Sequence, residues 1–125
     1  MQGRKIEIKV GGLTLDAEIN DSQTAGKIFH ALPITGVVNM WGDEIYFSTS
    51  LALPAENPKE TVQLGDIAYW LPGKALCIFF GLTPMSTSDE IRPAGAVTII
   101  GKIVGDLKPL KKVKEGETIE IFRAE

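Results

Sequence analysis

Hydrophobic and polar positions alternate along most of this chain. In RKIEIKV, residues 4 to 10, Ile6, Ile8 and Val10 fall on one side and Lys5, Glu7 and Lys9 on the other, which is the two-residue period of a half-buried strand. LTLDAEI repeats the pattern after Gly11-Gly12, and a Gly-Gly pair between two alternating runs predicts a hairpin. The period then changes. Asn20-Asp21-Ser22 offers side chains that can accept from the free amides of a helix start, and Ala25, Ile28, Phe29 and Leu32 follow at helical spacing until Pro33 stops the run. This predicts one short helix, whose apolar stripe must cover a sheet face or plug the end of a barrel.

Strand pattern returns in VVNMW and EIYFST, joined at Gly42-Asp43, where glycine in the first central position suits a II′ turn. SLALPAENPKETV, residues 50 to 62, reads as a loop, and LTPMSTSDEIRPAG, residues 82 to 95, as a second. Between them lies the most apolar stretch, GDIAYWLPGKALCIFFGLTP, residues 65 to 84. Its Leu71-Pro72-Gly73-Lys74 predicts a type II turn, with Pro72 presetting φ and Gly73 supplying a positive φ. Pairing across that turn sets Trp70 opposite Ala75, Ala68 opposite Cys77 and Ile67 opposite Ile78. One face then carries Ile67, Tyr69, Leu71, Leu76, Ile78 and Phe80 and reads as core. The other carries Ala68, Trp70, Ala75, Cys77 and Phe79, and being apolar it too needs a cover, whether helix, loops or ligand. AVTIIGKIV and ETIEIFR supply the last strands, and Gly101 within the first of them predicts a bulge or a close backbone approach. About eight strands and one helix in a single domain, residues 1–125, predict a barrel or a sandwich, because open sheet edges invite aggregation.

Composition narrows the function classes. A 125-residue chain with 44% hydrophobic and 23% charged residues is of a size to bury one core. No apolar run approaches the roughly 20 residues that cross a bilayer and no leader pattern opens the chain, so no membrane partner and a cytoplasmic location are expected. A formal net charge of −3 speaks against a nucleic-acid partner. One His and one Cys, on different elements, make neither a metal site nor a nucleophilic triad, and no phosphate-cradling motif occurs, so no cofactor is expected. Cys77, flanked by Leu76 and Ile78, reads as an inert thiol. What remains is aromatic: Trp41 and Tyr46 with Trp70 and Phe79 could line one concave surface, with Arg92 and Glu44 at its rim. Apolar walls with a few polar groups are how small-molecule and peptide sites are built. The same aromatics could instead belong to the core, or to an interface with a partner or a second copy of the chain in a homo-oligomer.

The tail IIGKIVGDLKPLKKVKEGETIEIF, residues 99 to 122, resembles the closing segment of cyclophilins. Residues 65 to 70 followed by Cys-Ile-Phe-Phe at 77 to 80 resemble that family's hairpin, and SQTAGKIFHAL, residues 22 to 32, its first helix. More specifically, GDIAYWLPGKALCIFFGLTP followed by EIRP at 90 to 93 resembles the small bacterial and archaeal cyclophilin-like barrels. That resemblance implies a mainly β fold, a closed eight-stranded barrel with one short α-helix, and no defined activity. Cyclophilin prolyl isomerases use an Arg in a Phe-His-Arg run, which VVNMWGDEIYFST does not match, and the Gln before the paired Phe is Ile78 here. The resemblance therefore implies a barrel without efficient isomerase activity, or a weak isomerase with Arg92 in the missing Arg's role. Phe79 and Phe80 remain as site residues. The hairpin register favours Phe79 for the site and alignment with the family favours Phe80, one residue apart.

Overall fold

The computed structural model describes residues 4–124. Two strands, β1 (Arg4–Val10) and β2 (Leu13–Ile19), pair in register across Gly11 and Gly12, whose φ angles of +54° and +83° fit a tight two-residue turn. The helix α1 (Gln23–Ala31) begins at Ser22, whose hydroxyl accepts from the Ala25 amide at 3.1 Å. Glu56 reaches the same end from a loop, its carboxylate accepting from the amides of Gln23 and Thr24 at 3.2 and 2.8 Å. Those bonds to the charged form hold its carboxyl below the usual range. Ala25, Ile28 and Leu32 enter the main core, so the helix covers the barrel interior rather than its outer wall.

Seven further strands follow: β3 (Ile34–Val37), β4 (Asn39–Met40), β5 (Glu44–Ser48), β6 (Asp66–Trp70), β7 (Ala75–Phe79), β8 (Thr98–Val104) and β9 (Thr118–Arg123). They form one sheet in the order β3-β9-β1-β2-β8-β6-β7-β5-β4, with every pairing antiparallel. The two edge strands of that list are consecutive in sequence and separated by Val38 alone. Residues 34–40 thus bond to β9 with their first half and to β5 with their second, and this nearly closes the barrel. The count of nine rather than the expected eight arises here, because one extended run changes partner midway. Gly36 marks the seam, since a β-carbon on it would lie 2.6 Å from Cδ2 of Phe47.

The central hairpin has the expected register, with Trp70 opposite Ala75, Ala68 opposite Cys77 and Ile67 opposite Ile78. Its turn does not. Leu71–Gly73 is a short 3-10 turn closed by the Lys74 amide donating to the Leu71 carbonyl at 3.0 Å, and the left-handed residue is Lys74 (φ +48°), not Gly73. The type II turn fails because Gly73 is needed for space rather than for φ: the indole of Trp70 lies where its side chain would be. The second hairpin turn, by contrast, has Gly42 at φ +62°, with Trp41 and Glu44 exchanging backbone hydrogen bonds at 3.0 and 3.2 Å.

Gly101 sits where both of its expected roles apply. β6 and β8 shift register between Ile67 and Ala68, opposite Gly101 and Ile99, and a β-carbon on Gly101 would meet the Glu18 carbonyl and lie 2.8 Å from the Ile19 Cα. Inside the barrel Ile8, Ile45, Phe47, Leu76, Ile78 and Ile119 are fully buried. Tyr69 joins them, its hydroxyl accepting from the Leu53 amide and donating to the Leu51 carbonyl, which ties the first long loop to the barrel. No helix among the described residues is long and apolar enough to cross a membrane.

Candidate functional site

Strand alternation places two kinds of residue on β5. Ile45 and Phe47 point into the barrel, so Glu44 and Tyr46 must point out. On β7 the same rule sends Leu76 and Ile78 inward and Cys77 and Phe79 outward, and on β6 it sends Ala68 and Trp70 outward. Register brings Tyr46 beside Cys77, and Glu44 beside Phe79. The outer wall of three adjacent strands is therefore apolar, and it needs a roof.

Both long loops supply that roof. Val62 pairs with Ile91 and Lys59 with Val97 in isolated antiparallel bridges, so residues from the two loops meet over the wall. The second loop is fixed internally: Ser86 Oγ accepts from the amides of Thr83 and Arg92 at 2.9 and 3.0 Å, and Thr83 Oγ1 donates to the Arg92 carbonyl. Beneath the loops Val62, Ala68, Cys77, Phe79, Ile91 and Val97 form a second hydrophobic cluster outside the barrel.

The roof is incomplete. A cavity of about 150 Å³ remains between it and the wall, lined by Trp41, Glu44, Tyr46, Trp70, Cys77, Pro93, Ala94 and Val97. Of the residues singled out in the sequence, Trp41, Glu44, Tyr46 and Trp70 meet around this space. Phe79 does not line it, but lies fully buried in the cluster beneath, and Phe80 belongs to the barrel core. The guanidinium of Arg92 does not line it either and instead pairs with Glu90 at 2.9 Å. Arg92 contributes through its backbone, which the Thr83 and Ser86 hydroxyls hold in the turn leading to Pro93.

Glu44 is the chemically unusual member. It is 5% exposed rather than a rim residue, and its Oε1 is buried without a hydrogen-bond partner. Burial pushes its carboxyl up to about 7, an effect that the neighbouring Cys77 thiol partly offsets. The thiol is itself pushed well up, first by burial and then by the nearby Glu44 carboxylate. Pro93 and Ala94 escaped sequence reasoning because only the folding-back of a distant loop brings them here, and Val97 because it reads simply as the start of a strand. Cys77 falls on the right face by alternation, but its polar neighbour Glu44 comes from a strand distant in sequence. Among the described residues, no three His, Cys, Asp or Glu side chains are grouped to hold a metal ion.

A family model described as cyclophilin-like matches residues 4–122. Among solved structures, the solution structure of the hypothetical protein AF2241 from Archaeoglobus fulgidus is similar at 44% sequence identity, with a TM-score of 0.82 over 98% of this chain and 95% of that one. Comparison with curated proteins gives no match.

Proposed function

We propose, from the premise that this chain belongs to the cyclophilin-like family, that it is a barrel that binds a small molecule or a peptide side chain in its outer cavity, without efficient prolyl isomerase activity. The observation that carries this reading is the buried, unpartnered Oε1 of Glu44 in an otherwise apolar, aromatic-lined cavity. A polar atom left unsatisfied inside a protein costs about 1 to 3 kcal/mol, so its retention next to an open cavity is accounted for by a ligand that completes it. The absence of isomerase activity is supported by the missing Phe-His-Arg run and by the engagement of Arg92 with Glu90, outside the cavity lining. A cytoplasmic location accords with the single cysteine, which is buried as a free thiol.

The test combines thermal shift against a metabolite panel with a prolyl isomerisation assay on short X-Pro peptides. A ligand at a hundredfold excess over its Kd stabilises a folded protein by about 2.7 kcal/mol, which a melting curve resolves. Stabilisation that is lost in Trp70→Ala supports the cavity as the site. Isomerase turnover that survives at enzyme-like rates, and falls in Arg92→Ala, would replace this reading with the enzymatic one.

A further inference from the structure

The lining of the outer cavity contains one carboxyl group and no Lys, Arg or His side chain. The described residues lining the cavity therefore bring no cation to this carboxyl, although an ionised carboxylate is costly to bury alone. Lining the same space are Trp41, Tyr46 and Trp70, and aromatic rings attract positive charge. A volume near 150 Å³ is that of a cavity able to take a benzene-sized group, roughly six heavy atoms. Resting on the cavity's reading as a ligand site, we propose that the group it takes is an alkylammonium ion, its N–H donated to Glu44 Oε1 and its alkyl carbons held among Trp41, Tyr46 and Trp70.

Each part of that group answers one feature of the site. A donor completes the orphaned oxygen, and a charged donor to a carboxylate makes the shorter and stronger kind of hydrogen bond. A neutral donor would satisfy the oxygen yet leave the ionised carboxylate without a counter-charge. A quaternary ammonium would supply charge but no N–H. The carboxyl's elevated proton affinity points the same way, since a buried carboxylate without a counter-ion takes up a proton in its place. The shared chemistry can come from a free amine or from a lysine side chain of a peptide, and the probes must separate the two.

The experiment titrates the protein with n-butylammonium, with n-butanol and butyramide as neutral isosteres, and with Nα-acetyl-lysine amide. Binding is read from the indole N–H signals of Trp41 and Trp70 in two-dimensional NMR and from calorimetry. The expected result is saturable binding of n-butylammonium, at least about tenfold tighter than either neutral isostere. It should weaken at least about tenfold in Glu44→Gln, whose fold the same spectra report, and also in Trp70→Leu. Tighter binding of the lysine amide would identify a peptide side chain as the source, and tighter binding of the free amine a small molecule, with both supporting the ammonium assignment. Equal binding of the neutral isosteres, or an unchanged affinity in a folded Glu44→Gln, would overturn the cation while leaving the cavity a ligand site. Failure of every probe, charged and neutral, would overturn both readings.

Discussion

Gly73 and Trp70 occupy each other's space: a β-carbon on Gly73 would lie 2.8 Å from both Cε3 and Cζ3 of the indole. On its other side the indole Nε1 stands 3.3 Å from where a β-carbon of Gly95 would be. Two glycines, one in the hairpin turn and one in the second long loop, thus seat a ring that lines the cavity. Gly73 has no positive φ, so Gly73→Ala is a purely steric probe. It should displace the indole and destabilise the fold by about 1 to 2 kcal/mol, within the range for overpacking. Tryptophan emission should shift with it. An unchanged spectrum and melting temperature would mean that the ring has room the contact distances deny.

Gly101 presents a harder case, because the obstacle is backbone. A β-carbon there would meet the Glu18 carbonyl and the Ile19 Cα across the β2–β8 pair, and neither atom can rotate away. Gly101→Ala should therefore cost about 3 kcal/mol, at the upper end for overpacking. Chemical denaturation measures the loss directly. A change below about 0.5 kcal/mol would contradict the tight approach.

These two glycines also show what the sequence makes legible. Alternation alone sorts β5, β6 and β7 into barrel-facing and outward sets, because a two-residue period has only two faces, and the hairpin register follows from the turn. That puts Tyr46 and Trp70 on outward faces of their strands and allows a shared surface with Trp41, while the pairing of β5 with β7 that joins them is seen only in the fold. It does not say that residues 34–40 change partner at Val38, since a strand carries the same pattern whichever neighbour it bonds. Nor does it place Pro93 and Ala94 over that wall: their position depends on Ser86 and Thr83 gripping the Arg92 backbone, local bonds within a loop whose destination is set elsewhere. Glu44 reads as a rim residue for the same reason. Carboxylates beside turns are usually solvated, and only the folded loops remove the solvent from this one.

Cys77 gives a chemical test of that burial. Its side chain is 2% exposed, and burial with the adjacent Glu44 carboxyl holds the thiol protonated, so the native protein should resist thiol reagents. Modification at pH 8 should be slower than in denaturant by at least about a thousandfold, at a rate limited by opening of the roof or of the whole domain. In Glu44→Gln the native rate should change little, because desolvation is the larger cause. Rapid stoichiometric labelling of the folded protein would mean that the cavity admits the reagent to Cys77 without any opening of the roof.

The Glu44 carboxyl makes stability depend on pH in a direction opposite to that of an ordinary ion-paired carboxylate. Its affinity for a proton is raised from the ordinary value of 4.5 to about 7 in the folded protein. Below pH 4.5 the group is protonated in both folded and unfolded chains, and burial carries no penalty. Between 4.5 and 7 the folded state retains a proton that the unfolded state has released, so raising the pH favours unfolding. Above 7 the loss is complete, on the order of 3 kcal/mol at about 1.4 kcal/mol per pH unit. The other titratable groups lining the cavity are Tyr46 on its own strand and Cys77 on β7, and the preceding Asp43 pairs with Lys111 at 3.2 Å; the thiol, itself pushed up, stays neutral through this window. Asp66, also raised by burial, acts in the same sense, so only the difference from a variant isolates Glu44. Glu44→Gln should match the parent near pH 4.5 and exceed it in stability at pH 8, with denaturant unfolding at the two pH values as the measurement. An equal gap at both pH values would show that Glu44 does not titrate in this range. For the ammonium ligand the sign reverses: n-butylammonium keeps its charge throughout, so its affinity should rise as Glu44 ionises through pH 7, and the bound complex should recover the stability that the free protein loses.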